Sequence, residues 1–148
     1  MREEHMDFGQ FIRSKRLKDS RELTLRDISK ELGISLSMLS DIEKGRRNPF
    51  DAEKIEKFCE FLNLPEKDKE HIYDLAAKKR GDIPEDIDDI MMYTDIGYMA
   101  RCALRMSNKG ILKKKDWEDF IRKAERQVLV EFGKSVCSLV SVSRYQAS

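Results

Sequence analysis

The sequence predicts an all-α protein, and two observations carry that reading. Apolar residues recur at three- and four-residue intervals almost throughout the 148 residues. Breakers at Gly33, Asn48-Pro49, Pro65 and Gly81 cut that pattern into segments of helical length.

The elements follow in order. Phe8, Phe11, Ile12 and Leu17 mark a first helix, Phe8 to Asp19. Leu25, Ile28 and Leu32 mark a second, with Thr24 as its N-cap, and Gly33 follows where a helix end needs positive φ. Ser35 caps a third, short helix carrying Leu39 and Ile42 and ending near Gly45. Asp51 caps a fourth with the apolar face Ile55, Phe58, Cys59 and Leu62. Pro65 opens a fifth, with Ile72, Leu75 and Ala76, ending in Lys78-Lys79-Arg80-Gly81. Pro84 fits the first turn of a sixth, before Ile87, Ile90 and Met91. Ile96, Met99, Ala100, Ala103 and Leu104 form a helical stripe closed by Asn108-Lys109-Gly110. Asp116 is expected to cap a further helix with Trp117, Phe120, Ile121, Ala124 and Val128 inward. Val128 to Val142 reads equally as continued helix, strand or tail. The organisation expected is a domain over residues 1–80 and a helical region over residues 81–148.

Composition narrows the function classes. Lys+Arg is 29 and Asp+Glu 28, which excludes a polybasic tail and an acidic disordered chain. The N-terminal MREEHMDFGQFIRSKR lacks an apolar signal core, and no stretch approaches the ~20 apolar residues of a bilayer span. A cytoplasmic protein without a membrane contact is expected. Cys59, Cys102 and Cys137 are far apart and read as reduced thiols, with Cys59 packing as a small apolar residue. His5 and His71 have no ligand-spaced partner, so no metal and no cofactor are expected. No HExxH, GxSxG, Walker A or GxGxxG sequence occurs, which argues against an enzyme. Charge is unevenly placed: Gly9 to Arg47 holds ten bases against six acids, whereas Gly81 to Ala100 holds acids and no base. A local basic face of this kind is a nucleic-acid footprint that net charge hides.

The informative stretch is Leu25 to Lys44. Two short helices meet around Gly33, the small Ser29 lets them approach, and Leu32, Ile34, Leu39 and Ile42 fix their angle. This is the spacing of a helix-turn-helix, whose second helix enters a major groove.

Residues 8 to 64 resemble the Cro/phage-repressor (XRE) type of helix-turn-helix domain, through FGQFIRSKR, LTLRDISKELGIS and LSMLSDIEKGRRNP. The most specific part is the S-x-x-x-x-S-x-I-E-x-G-x-R-x-P layout from Ser35 to Pro49. The resemblance implies a five-helix, lambda-repressor-like DNA-binding domain followed by a small helical C-terminal region. It also implies operator binding as a homodimer, and transcriptional control. Residue by residue, it places Ser35, Leu36, Ser37, Ser40 and Asp41 at base edges. It places Thr24 and Leu25 at phosphate, and Lys44, Arg46 and Arg47 on the backbone beyond the recognition helix. Arg16 and Glu43 match a pair that forms a partly buried salt bridge in relatives. Leu25 and Leu36 depart from the polar residues common there. Leu36 either touches a thymine methyl or packs; Asp41 either accepts from a cytosine amino group or orients a nearby basic side chain.

Residues 82–132 are the candidate dimer or partner-binding region. The pieces IPEDIDDIMMY, ALR and DWEDFIRKAE look like tails of bacterial and prophage regulators. The expected function is a DNA-binding regulator, in the first place a repressor acting as a dimer with Leu36–Lys44 in the major groove of double-stranded operator DNA. The alternative is an antitoxin-like autoregulator whose C-terminal region binds a partner protein.

Overall fold

The computed structural model describes the backbone of residues 5–145 and the side chains of residues 5–133. Eight helices and no strand occur among the described residues. They fall into two compact units that divide between Thr94 and Asp95.

The first unit holds α1 (Phe8–Lys18), α2 (Leu25–Leu32), α3 (Leu36–Glu43), α4 (Ala52–Phe61), α5 (Glu66–Arg80) and the short α6 (Asp88–Tyr93). Side-chain caps set most of the starts. Asp7 and Gln10 form a capping box on α1, and Thr24 and Asp27 form one on α2. Ser35 accepts the amide of Met38 on α3, and Asp51 that of Lys54 on α4. Each such cap contributes about 1 kcal/mol. Gly33 ends α2 at φ 65° and Gly81 ends α5 at φ 75°, conformations a side chain would strain. Two helices stop a residue short of expectation. Asp19 turns extended and becomes the C-cap of α1, and Lys44 caps α3 because Gly45, at φ 73°, turns the chain away.

α2 packs on α3 and α4, α1 packs on α3 and α5, and α4 packs on α5. Phe11, Ile12, Ile28, Leu39, Ile42, Ile55, Phe58 and Ile72 are fully buried between them. Each contributes roughly 1.5–3 kcal/mol of transfer free energy. Cys59 lies in this core, and burial pushes its thiol up to about 12. The side chain of Cys137 lies outside the described residues.

The closest approach is at Gly9. A Cβ there would sit 2.7 Å from the carbonyl oxygen of Glu43 and nearer still to that of Ile42. Only glycine lets α1 lie on the last turn of α3. A second tie closes the α1–α2 loop. Arg21 pairs with Asp19 at 2.9 Å, donates to the carbonyl of Phe61 at 2.7 Å and lies over the Phe61 ring. The hydrogen bonds from Arg21 hold the Asp19 carboxyl at about 2.

The second unit consists of α7 (Asp95–Asn108) and α8 (Lys114–Tyr145). The Trp117 indole donates to Ser107 Oγ at 2.7 Å, and a cavity of about 250 Å³ lies among Ala103, Leu112, Asp116, Trp117 and Phe120. Asp116 does not cap α8 from outside. The helix starts at Lys114, and the Asp116 carboxylate reaches back to the amide of Lys113 at 2.7 Å. Val128 to Val142 is continued helix. The inward face expected for α8 is not inward in the single chain: Phe120 is 66%, Ile121 54% and Val128 66% exposed. Ile96, Met99 and Leu104 of α7 are exposed too. Length accounts for Val128 and the residues beyond it, but not for Phe120, Ile121 or the α7 residues. α8 has 32 residues and α7 only 14. At 1.5 Å per residue they span about 48 and 21 Å, so α7 leaves most of α8 uncovered.

Two outcomes are expected. Gly9→Ala forces α1 off α3 and destabilises the first unit by about 1–3 kcal/mol in urea unfolding. The Asp19 carboxyl sits below its ordinary 3.8 in the fold, so it stabilises above about pH 4 and that stabilisation is lost as pH falls toward 2. Thermal melts of Asp19→Asn should therefore lie below wild type at pH 7 and converge with it near pH 2.

Candidate nucleic-acid interface

The two helices flanking Gly33 set the geometry of this face. Ser29 is buried, its hydroxyl turned back to the carbonyl of Arg26, and Leu32 is buried beside it. Ile34 packs against the core, and its amide donates to the carbonyl of Ser29 at 3.0 Å. α3 is then held from below by the buried Leu39 and Ile42. Its other side faces outward. Ser35, Leu36 and Ser37 are exposed, while Ser40 and Asp41 are half-buried. The Ser35 hydroxyl is engaged as a cap, accepting from Met38 at 3.1 Å and lying 3.3 Å from Ser37 Oγ. Leu36 is 43% exposed and is not packed into the core. Leu25 is half-buried and packs against the core instead.

Thr24 is exposed at the start of α2, with its hydroxyl bonded to Asp27 at 2.7 Å. The hydroxyl and amide of Thr24 hold the Asp27 carboxyl below its ordinary range.

Behind α3 lies the ion pair. Arg16 Nε donates to Glu43 Oε1 at 2.8 Å and Nη2 to Oε2 at 2.9 Å, with both residues buried. A third bond runs from Arg16 Nη1 to the carbonyl of Leu23 at 3.1 Å. The Glu43 hydrogen bond holds the guanidinium above its ordinary value, against the effect of burial. One side chain thus joins α1, the entry to α2 and the end of α3. The Glu43 carboxylate is occupied by this pair and turned from the outer face.

Several cations of the first unit are taken up by ion pairs. Lys15, Arg21, Lys54, Lys57, Lys69 and Arg80 each pair with a carboxylate, as Arg16 does. Lys44, Arg46 and Arg47 are exposed and have no ion-pair partner among the described residues. They follow α3 directly, on a turn fixed by Gly45 and by the Arg46 amide donating to the carbonyl of Asp41 at 2.8 Å. Their charges stand together and unneutralised, which makes a positive potential beside the outer face of α3.

Arg13 belongs to the same face and was not singled out by sequence reasoning. With Arg16, Leu25, Ser40, Glu43 and Lys44 it lines a depression of about 150 Å³. Its place one turn before Arg16 on α1 was the available signal. Among the described residues no group of three potential metal ligands occurs, and no helix is long and apolar enough to cross a membrane.

Residues 7–72 match the family model described as a helix-turn-helix domain. That domain implies DNA binding. No curated protein and no solved structure matches the chain.

Removing one member of the buried pair leaves the other charge without a partner. Arg16→Met or Glu43→Leu alone should cost about 3–5 kcal/mol in denaturant unfolding, and the double variant should recover much of that loss. Equal losses in the single and double variants would mean that the pair does not act as a unit.

Proposed function

We propose that this chain, whose residues 7–72 form a helix-turn-helix domain, is a cytoplasmic transcriptional regulator of the XRE type. It represses by binding operator DNA as a homodimer, with α3 in the major groove. The observation that carries the reading is the row of exposed, unpaired cations at Lys44, Arg46 and Arg47. It adjoins the outward face of α3, on a turn held by Gly45 and by the backbone bond from Arg46 to Asp41. In this reading Lys44, Arg46, Arg47 and Arg13 neutralise phosphate, and Thr24 and the start of α2 at Leu25 set the register. Ser35, Leu36, Ser37, Ser40 and Asp41 face the base edges. Leu36 suits a thymine methyl, because it is exposed and has no hydrogen-bonding atom. Ser37 and Ser40 accept or donate to several bases, so specificity from one helix is low.

That low specificity is the argument for two copies. Phosphate contacts alone give dissociation constants of about 10⁻⁴–10⁻⁶ M at physiological salt. A two-fold dimer presents two α3 helices to half-sites about one helical turn apart. The uncovered apolar residues of α7 and α8 supply surface for a subunit contact, since monomers rarely expose large contiguous apolar patches. The same exposure favours a second reading, the antitoxin-like one, in which residues 82–132 receive a partner protein. Co-purification separates the two: a stoichiometric second protein supports the latter, and a self-associating chain the former.

The contact assignment is tested with salt. Arg46→Ala and Arg47→Ala should each weaken binding to operator and random duplex alike and flatten the salt slope by about one unit. Fluorescence anisotropy over a salt series reads this directly. Loss confined to the operator would place these arginines on bases.

A further inference from the structure

Arg80 is the last residue of α5, immediately before the left-handed Gly81. Its guanidinium leaves that helix and reaches back to the end of the turn after α3. Nη2 donates to the carbonyl of Phe50 at 2.7 Å and to that of Pro49 at 3.1 Å. Nη1 pairs with Glu85, in the segment between α5 and α6. The side chain is 25% exposed, so these bonds form in a partly dry setting.

The acceptors sit at a telling place. The arc Lys44–Asn48 carries the cations assigned to phosphate. Its upstream end is fixed on α3 through Gly45 and the Arg46–Asp41 backbone bond. Its downstream end enters the core at Pro49 and Phe50, both buried, with the Phe50 ring set edge-on to Phe8 at 5.1 Å between centroids. Arg80 binds the carbonyls of these two residues. Its charge also reaches Asp51, the cap of α4, whose carboxyl is lowered chiefly by the Lys54 hydrogen bond and lastly by Arg80. Two carbonyls and a carboxylate around one planar guanidinium form a set that a lysine cannot reproduce, because its ammonium is a point charge without a fork.

We infer that Arg80 is a positioning residue for the phosphate contacts: it holds the downstream end of the Lys44–Asn48 arc so that Arg46 and Arg47 stand at a fixed height beside α3. Arg80 itself touches no DNA in this assignment. The inference rests on the reading of Arg46 and Arg47 as phosphate contacts. Glu85 shares the same guanidinium, so the segment leaving the domain is tied to the arc by one side chain.

The test is a double-variant cycle on the full chain, with random-sequence and operator duplexes as probes. It is read at a temperature where circular dichroism shows each variant folded. Arg80→Met should weaken both duplexes about tenfold and lower the salt slope by about one unit. In that background Arg47→Ala should cost clearly less than it does in wild type, because residues acting through one another are non-additive. Arg80→Lys keeps the charge and a foldable helix end, and should lose nearly as much affinity as Arg80→Met. Full affinity in Arg80→Lys would show that Arg80 acts by charge alone and overturn the inference. Strict additivity of Arg80→Met with Arg47→Ala would overturn it as well. If Arg47→Ala alone leaves affinity and slope unchanged, the phosphate reading itself fails, an outcome visible before Arg80 is altered.

Discussion

The buried pair between Arg16 and Glu43 is the interaction on which the rest of the helix-turn-helix depends. It spans 27 residues of chain and closes with two bonds at 2.8 and 2.9 Å. Its third bond, to the carbonyl of Leu23, brings in the approach to α2. Burying two charges is costly, so the pair is kept only where geometry and hydrogen bonding repay the lost hydration. Gly9 makes that geometry available. With no Cβ, α1 rests directly on the carbonyls of Ile42 and Glu43, and the guanidinium seven residues later falls in line with the Glu43 carboxylate. An apolar contact of the same area could slide. A bidentate pair has one orientation, and it fixes how far the outer face of α3 stands from the domain.

Charge use follows from that frame. The Glu43 carboxylate is directed inward by Arg16, although Glu43 lies on α3 itself. At least seven cations of the domain pair with acids, some between helices, as Lys15 with Asp68 and Lys69 with Glu56. Lys44, Arg46 and Arg47 are set apart by their place, clustered beside α3 on an arc whose two ends are held by backbone bonds and by Arg80. A mobile basic loop would bind any polyanion after losing conformational entropy. A loop held at both ends has already lost it.

The second unit obeys a different physics. Its ties among the described residues include an indole bonded to Ser107, an acid closing the start of α8, and a turn at Gly110. The apolar residues of α8 from Phe120 to Phe132 remain largely exposed, so the described residues do not complete a core there. An amphipathic helix draws most of its stability from packing its apolar face. That is why this region is the place to seek a second subunit or a partner.

What the sequence by itself determined is local. The α1–α5 pattern, the caps Thr24, Ser35 and Asp51 and the left-handed Gly33 were legible because each depends on residues within four positions of one another. The candidate base-facing and phosphate-facing residues were legible by resemblance, on the matching positions, and so was the pairing of Arg16 with Glu43. The Asp7 cap has the same local character and was overlooked, and the start of α8 was misplaced by three residues because an acid at the third helical position resembles a cap. Tertiary structure alone decided the rest. Gly9 in a helix gives no sign of which backbone will lie on it. Arg80 looks like one more base at a helix end until the fold brings it to carbonyls 30 and 31 residues away. Arg13 is one of ten bases in its stretch until Ser40 and Lys44 are seen beside it. The stripe on α8 has the periodicity of a core, and periodicity states only that a helix has an apolar side. Whether that side is covered depends on the length and path of other segments, which no local pattern encodes.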